Sequence, residues 1–152
     1  MEAPIMNIWA LVLTSFLIVL ALLHLYWAVG GRWPGHDDQS MVERVVGRTP
    51  GMKAPRFWLA FAVTVALMMS AALVAVTGGL VPHPNLPWGK SIVSLGFWIS
   101  GAVFAVRGVA GFVPGVFRYA EGTPFMQLNQ WFYSPLCLAI AAAYVAAYNA
   151  GP

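Results

Sequence analysis

Residues 103–137 read VFAVRGVAGFVPGVFRYAEGTPFMQLNQWFYSPLC. An apolar run carries a lone cation, Arg107, and leaves through a Gly/Pro-rich exit between Gly111 and Gly115. A short polar turn follows, and Tyr133-Ser134-Pro135 opens a second apolar run. A cation inside such a run is costly in hydrocarbon, so it has a partner or a task. Two membrane-type segments joined by a turn describe a polytopic membrane chain.

The composition agrees. The 152 residues are 60% hydrophobic and 9% charged, with a mean hydropathy of +0.74. A soluble domain carries far more surface charge. Apolar segments fall at Ile5–Val29, Phe57–Leu80, Ser91–Val113 and Trp131–Tyr148. About 20 apolar residues cross a bilayer core as a helix; the first three segments have that length and the fourth is marginal. The first has Glu2 and no Lys or Arg at its flank, and it is too long for a cleaved signal, so it reads as a retained helix. Length fits one domain, residues 1–152. The expected fold is all-α: an antiparallel bundle of four transmembrane helices. The single cysteine, Cys137, leaves no intrachain disulfide or thiolate cluster. A net charge of +3 without a dense basic run gives no nucleic-acid signal.

Loop charges give an orientation. Arg32, Arg44, Arg48, Lys53 and Arg56 lie between the first two segments and Arg118 between the last two, against Lys90 alone on the opposite side. The positive-inside bias then puts both basic loops in the cytoplasm of a bacterial inner membrane and both termini outside.

Along the chain, the first segment ends His24-Leu25-Tyr26-Trp27-Ala28-Val29-Gly30-Gly31. His24 and Trp27 share a face. Tyr26, Trp27 and Trp33 also suit an interfacial aromatic belt. His24 sits about 9 Å inside the Gly-Gly stop by helix rise, where an imidazole is either hydrogen-bonded packing or part of a site. His36-Asp37-Asp38 reads as a solvated turn, because three adjacent residues cannot easily wrap one ion; no metal or cofactor is expected. Ser40-Met41-Val42-Glu43 has the capping-box pattern and opens a short helix through Val46, stopped by Gly47. Met41, Val42, Val45 and Val46 form its apolar side, so it lies on the cytoplasmic membrane surface or covers the bundle mouth. In the second segment Thr64, Ser70 and Thr77 bond to their own helix or a neighbour, and Met68 and Met69 pack. His83 reads as a solvated residue of the proline-rich outer loop 81–88.

In the third segment Gly101, Ala105, Gly108 and Gly115 form a small-residue stripe suited to close helix packing. Arg107 lies beside it and faces the bundle seam, or snorkels to the interface. Ser134-Pro135 fits an N-cap and first-turn proline. A helix starting there and ending at Asn149 is only about 24 Å long. Either a helical piece over 126–133 joins it at a kink, or irregular backbone enters the membrane where protein or water reaches it. Cys137 reads as an inert packing group. Topology and spacing bring His24, Trp27, Arg107, Asn129, Tyr133 and Ser134 to one end of the bundle, as a candidate ligand-binding set.

These residues carry a resemblance. His24 to Gly31, Trp33-Pro34-Gly35 with Val45-Val46-Gly47, Val106-Arg107-Gly108 with Gly111-Phe112, and Tyr133-Ser134-Pro135-Leu136-Cys137-Leu138 resemble a family of small bacterial four-helix membrane proteins catalogued only as a domain of unknown function. The likeness covers nearly the whole chain and implies the four-helix fold without an activity. Where the family pattern has an acidic residue ahead of YSPLC, this chain has Leu128-Asn129-Gln130, which weakens an Arg–carboxylate pair from that position.

Three functions compete. A binding or accessory protein would hold a lipid headgroup or small anion on Arg107, whose planar fork suits phosphate and carboxylate, or would dock another membrane subunit or a second copy on the glycine stripe. A membrane-embedded enzyme on a lipid-like or isoprenoid substrate would use His24 as acid/base, Arg107 as clamp and Tyr133 as proton donor. No nucleophile–base pair or cofactor motif supports that reading. A transporter or channel would need oligomers, since four helices leave a narrow path and no inverted repeat is evident. Haem binding is disfavoured, because His24 and His83 fall at opposite ends.

Overall fold

The computed structural model describes residues 7–85, 88–113 and 115–151. The start of the first apolar segment at Ile5 and the outer-loop residues Leu86 and Pro87 lie outside these. Among the described residues six α-helices follow one another: α1 Ile8–Ala28, α2 Asp38–Val45, α3 Phe57–Thr77, α4 Gly89–Ala110, α5 Pro124–Leu128 and α6 Ser134–Asn149. A π-helical turn, Asn129–Tyr133, fuses α5 to α6. Four helical stretches are long and apolar enough to cross a membrane: α1, α3, α4 and the fused Pro124–Asn149. The chain is an all-helical, multi-pass membrane protein.

The bundle packs as a ring in which α1 adjoins α3 and α6, and α4 adjoins α3 and α6. Ala10 faces Gly78, Leu73 faces Gly96, Tyr144 faces Gly101 and Leu138 faces Gly108. Between α4 and α6 the two contacts, Gly101 with Tyr144 and Gly108 with Leu138, run in opposite senses. Leu13, Leu17, Leu67, Val74, Phe97, Ile140 and Tyr144 fill the centre. Val12, Val19, Met69, Ile92 and Val103 point outward, exposed. Such a face is a liability in water and suits hydrocarbon. At the end opposite the basic loops Asn7 ties the ring shut. Its Oδ1 accepts the Ala10 amide and its Nδ2 donates to the carbonyls of Ala147 and Gly151, each at 2.7 Å.

The structure corrects three local expectations. Of the two alternatives for the last span, a helical piece ahead of Ser134 is the one present, and it begins at Pro124 with proline at the first position; Ser134 itself is no cap. Pro135 has no N–H for the Trp131 carbonyl and its ring crowds that carbonyl. The helix widens there instead of stopping, and the Ser134 amide reaches back five residues to the Asn129 carbonyl. The fused span has 26 residues, about 39 Å at the α-helical rise and enough for a core of about 30 Å. Ser134 is thus inside the helix and caps nothing.

The short helix is capped by Asp37, not Ser40. The Asp37 carboxylate accepts the Ser40 amide at 2.8 Å, and the Ser40 hydroxyl reaches back to the cap as the third helical residue. Gly47, at φ +98°, ends the helix with its amide on the Val42 carbonyl.

The glycine stripe divides. Gly101 and Gly108 are buried, and a Cβ added to them would stand 3.2 Å from Tyr144 and 2.7 Å from Leu138. They let α4 approach α6 of the same chain. Ala105 is half-buried beside them. Gly115 lies beyond the helix, exposed, in a turn at φ +96°. Gly111 is a member that the stripe missed: it is buried, and a side chain there would collide with Ser134.

Candidate functional site

Arg107 lies one turn inside the end of α4. Its Nη2 donates to Asn129 Oδ1 at 2.9 Å, and Nη1 lies 3.5 Å from Ser134 Oγ. Its guanidinium sits over the Phe117 ring, 4.7 Å from the centroid. Asn129 and Ser134 are fully buried. The Ser134 hydroxyl donates to Asn129 Oδ1 at 3.2 Å, and Asn129 Nδ2 donates to the Gly111 carbonyl at 3.0 Å. Residues five apart on an α-helix point well away from each other; the π-turn brings Asn129 and Ser134 onto one face. Single-turn π-bulges recur at functional sites. Here the bulge builds the socket that holds Arg107.

Every partner in that socket is neutral. The acidic side chains that pair with basic ones are Asp38 with Arg32, Asp37 with His36 and Glu121 with Arg118, all near or beyond the surface loops. Among the described residues no carboxylate lies within 4.0 Å of Arg107. The fork has five N–H donors, and its socket engages only the two terminal nitrogens. A full positive charge and spare donors remain.

Arg107 also lines a cavity of about 390 Å³. His24 and Trp27 of α1 form one wall, Leu59, Ala60 and Val63 of α3 a second, and Arg107 the third. Met41, Val45, Phe117, Tyr119 and Phe125 close the top. The lining is mainly apolar, with few polar atoms, as in small-molecule sites of similar size. His24 Nδ1 stands 2.8 Å from the Leu20 carbonyl, which fixes the proton on Nδ1 and leaves Nε2 as the acceptor. The ring meets Trp27 edge-on at 4.9 Å.

The α2 helix is the lid of this cavity. Met41 and Val42 are fully buried beneath it. The lid is held by side chains that donate to backbone carbonyls: Tyr133 Oη to Arg44 and Tyr119 Oη to Val46, each at 3.0 Å, and Arg48 Nη2 to Glu121 at 2.9 Å. Hydrogen bonds from the Ser40 hydroxyl and amide hold the Asp37 carboxyl below the usual carboxylate range.

Of the six side chains expected at a site, His24, Trp27 and Arg107 line one cavity. Asn129 and Ser134 stand behind Arg107, and Tyr133 turns its hydroxyl to the lid. Sequence reasoning missed Phe117, Tyr119 and Phe125. Their signal was the spacing of aromatics through the polar turn, where a solvated loop has little use for them.

No curated protein and no solved structure matches the chain. Residues 17–144 match a family of proteins, and on that match the chain belongs to the family described as "Protein of unknown function (DUF3995)".

Proposed function

We propose that this protein is a non-catalytic binding protein of the bacterial inner membrane, whose cavity takes the anionic group of a membrane lipid or a small anion on Arg107. The carrying observation is the charge balance. Arg107, a cation held by neutral partners with N–H donors to spare, lines a mostly apolar cavity. A structural arginine would be neutralised by a carboxylate or would extend into the headgroups. The basic loops favour a cytoplasmic position for the lidded end and an outer position for both termini.

Arg107→Lys tests this. Lysine keeps the charge as a compact point and loses the planar fork. The variant should insert normally and bind anionic lipid about tenfold more weakly, measured by lipid titration in native mass spectrometry. Unchanged binding would return Arg107 to simple snorkelling.

His24 supports one second reading, an enzyme acting on a lipid-like substrate, because its proton position leaves Nε2 poised as a base. Tyr133 cannot serve as the proton donor there while its hydroxyl holds the lid. Turnover of a lipid lost in His24→Gln would favour this reading over binding alone.

A further inference from the structure

We infer that the ligand is a whole lipid molecule, its anionic headgroup on Arg107 and one hydrocarbon chain laid in the groove between α3 and α4. This rests on the proposed role of the Arg107 cavity and names what fills it.

The groove has a volume of about 660 Å³. Val63, Ala66 and Leu73 line it from α3, and Gly96, Ile99 and Val103 from α4. Three features select a lipid tail. The first is continuity. Val63 belongs both to this groove and to the wall of the Arg107 cavity, and a further recess along α4 joins Arg107 to Ile99 and Val103. The cation therefore adjoins the apolar surface that leads to the groove. The second is length. Leu73 closes the far end by filling the space beside Gly96, where an added Cβ would stand 2.9 Å from its side chain. From Val63 to Leu73 the helix rises about 15 Å, half of a hydrocarbon core of about 30 Å. The groove covers the middle of α3 and α4, and Arg107, one turn inside the end of α4, stands beyond its near end.

The third is chemistry. The polar groups at the groove floor are already satisfied: Ser70 Oγ donates to Ser100 Oγ at 3.1 Å, and Ser100 Oγ donates to the Gly96 carbonyl at 2.9 Å. Both serine hydroxyls donate within the protein. Val63, Ile99 and Val103 are 41%, 53% and 61% exposed, so the groove opens sideways to the bilayer. A lipid can enter from the leaflet without crossing the lid. A free anion would use the cavity and leave the groove to bulk lipid; the whole-lipid assignment differs in making the groove selective.

The test reconstitutes the protein in phosphatidylcholine nanodiscs containing a minor share of phosphatidylglycerol with a diazirine on one acyl chain. Photolabelled residues are mapped by mass spectrometry. Label should concentrate on the α3–α4 groove and fall about tenfold or more in Arg107→Gln. Ala66→Trp fills the groove at an exposed site outside the Arg107 cavity; it should lower groove labelling equally while soluble glycerol 3-phosphate still binds. Ala66→Leu, a milder filling, should act in the same direction and guards against misfolding. Label spread evenly over the outer faces of all four spans, or groove label indifferent to Arg107→Gln, would overturn the assignment. In that event, glycerol 3-phosphate binding that depends on Arg107 would leave the cavity reading standing. Its absence would remove both.

Discussion

Asn129→Asp changes the charge of the Arg107 socket while keeping its shape. Asn129 Oδ1 accepts from Arg107 Nη2 at 2.9 Å and from Ser134 Oγ at 3.2 Å. An aspartate keeps both acceptances and adds a negative charge. Opposite unit charges about 4 Å apart attract by about 4 kcal/mol at an effective dielectric of 20. Stripping water from a buried carboxylate offsets much of this. The second carboxylate oxygen also faces the Gly111 carbonyl, to which Nδ2 now donates at 3.0 Å. Fold stability should therefore change little in net. Ligand binding should change a great deal, because the site's free charge is gone. A hydrogen bond to a charged group contributes about 1.5–3 kcal/mol, so an anionic lipid should bind roughly ten- to a hundredfold more weakly. The assay is a phosphatidylglycerol titration by native mass spectrometry, with phosphatidylcholine as the uncharged reference and gel-filtration profile as the folding control. A folded Asn129→Asp protein that holds anionic lipid as tightly as the parent would refute the reasoning.

Two further outcomes follow from the packing. Gly108→Leu should destabilise the bundle itself by about 1–3 kcal/mol or more, since the added side chain meets Leu138 of the same chain; thermal unfolding in detergent followed by tryptophan fluorescence measures it, and a stable variant that merely loses a partner would place the interface outside the chain. The Asp37 cap should be pH-sensitive. Its folded carboxyl titrates below the unfolded one, so its contribution is complete above the unfolded value and is lost as pH falls through the folded one. The protection of α2 amides relative to their intrinsic exchange at each pH should fall on acidification in the parent, and Asp37→Ala should show low protection at every pH; parallel protection profiles for the two would contradict the cap.

Much of the fold was legible because hydrocarbon imposes a simple demand: every backbone group is satisfied within its own segment. The long apolar runs had to be helices. The convergence of His24, Trp27 and Arg107 followed from helix direction and loop length alone. The length shortfall pointed to a helical piece ahead of Ser134 as one alternative; only the cap assigned to Ser134 was wrong, because Ser-Pro is a common helix opening and a proline absorbed by a π-turn leaves no distinct local pattern. That one turn also sets the pairing of Asn129 with Ser134, which α-helical spacing argues against. The cap moved from Ser40 to Asp37 for a related reason. Both residues can cap, and burial of Met41 and Val42 beneath the lid selects the register. Phe117, Tyr119 and Phe125 entered the site through a turn whose path depends on Tyr119 and Arg48 bonding to distant carbonyls, contacts that span 73 residues of sequence.

The central claim is that Arg107 holds an anionic lipid. Gentle extraction from the native membrane, followed by native mass spectrometry of the parent and of Arg107→Gln, tests it most directly. Glutamine keeps polar donors and removes the charge. The account predicts a retained adduct with the mass of an anionic lipid on the parent and its loss from the variant. A bare parent protein, or an adduct that survives in Arg107→Gln, would contradict it.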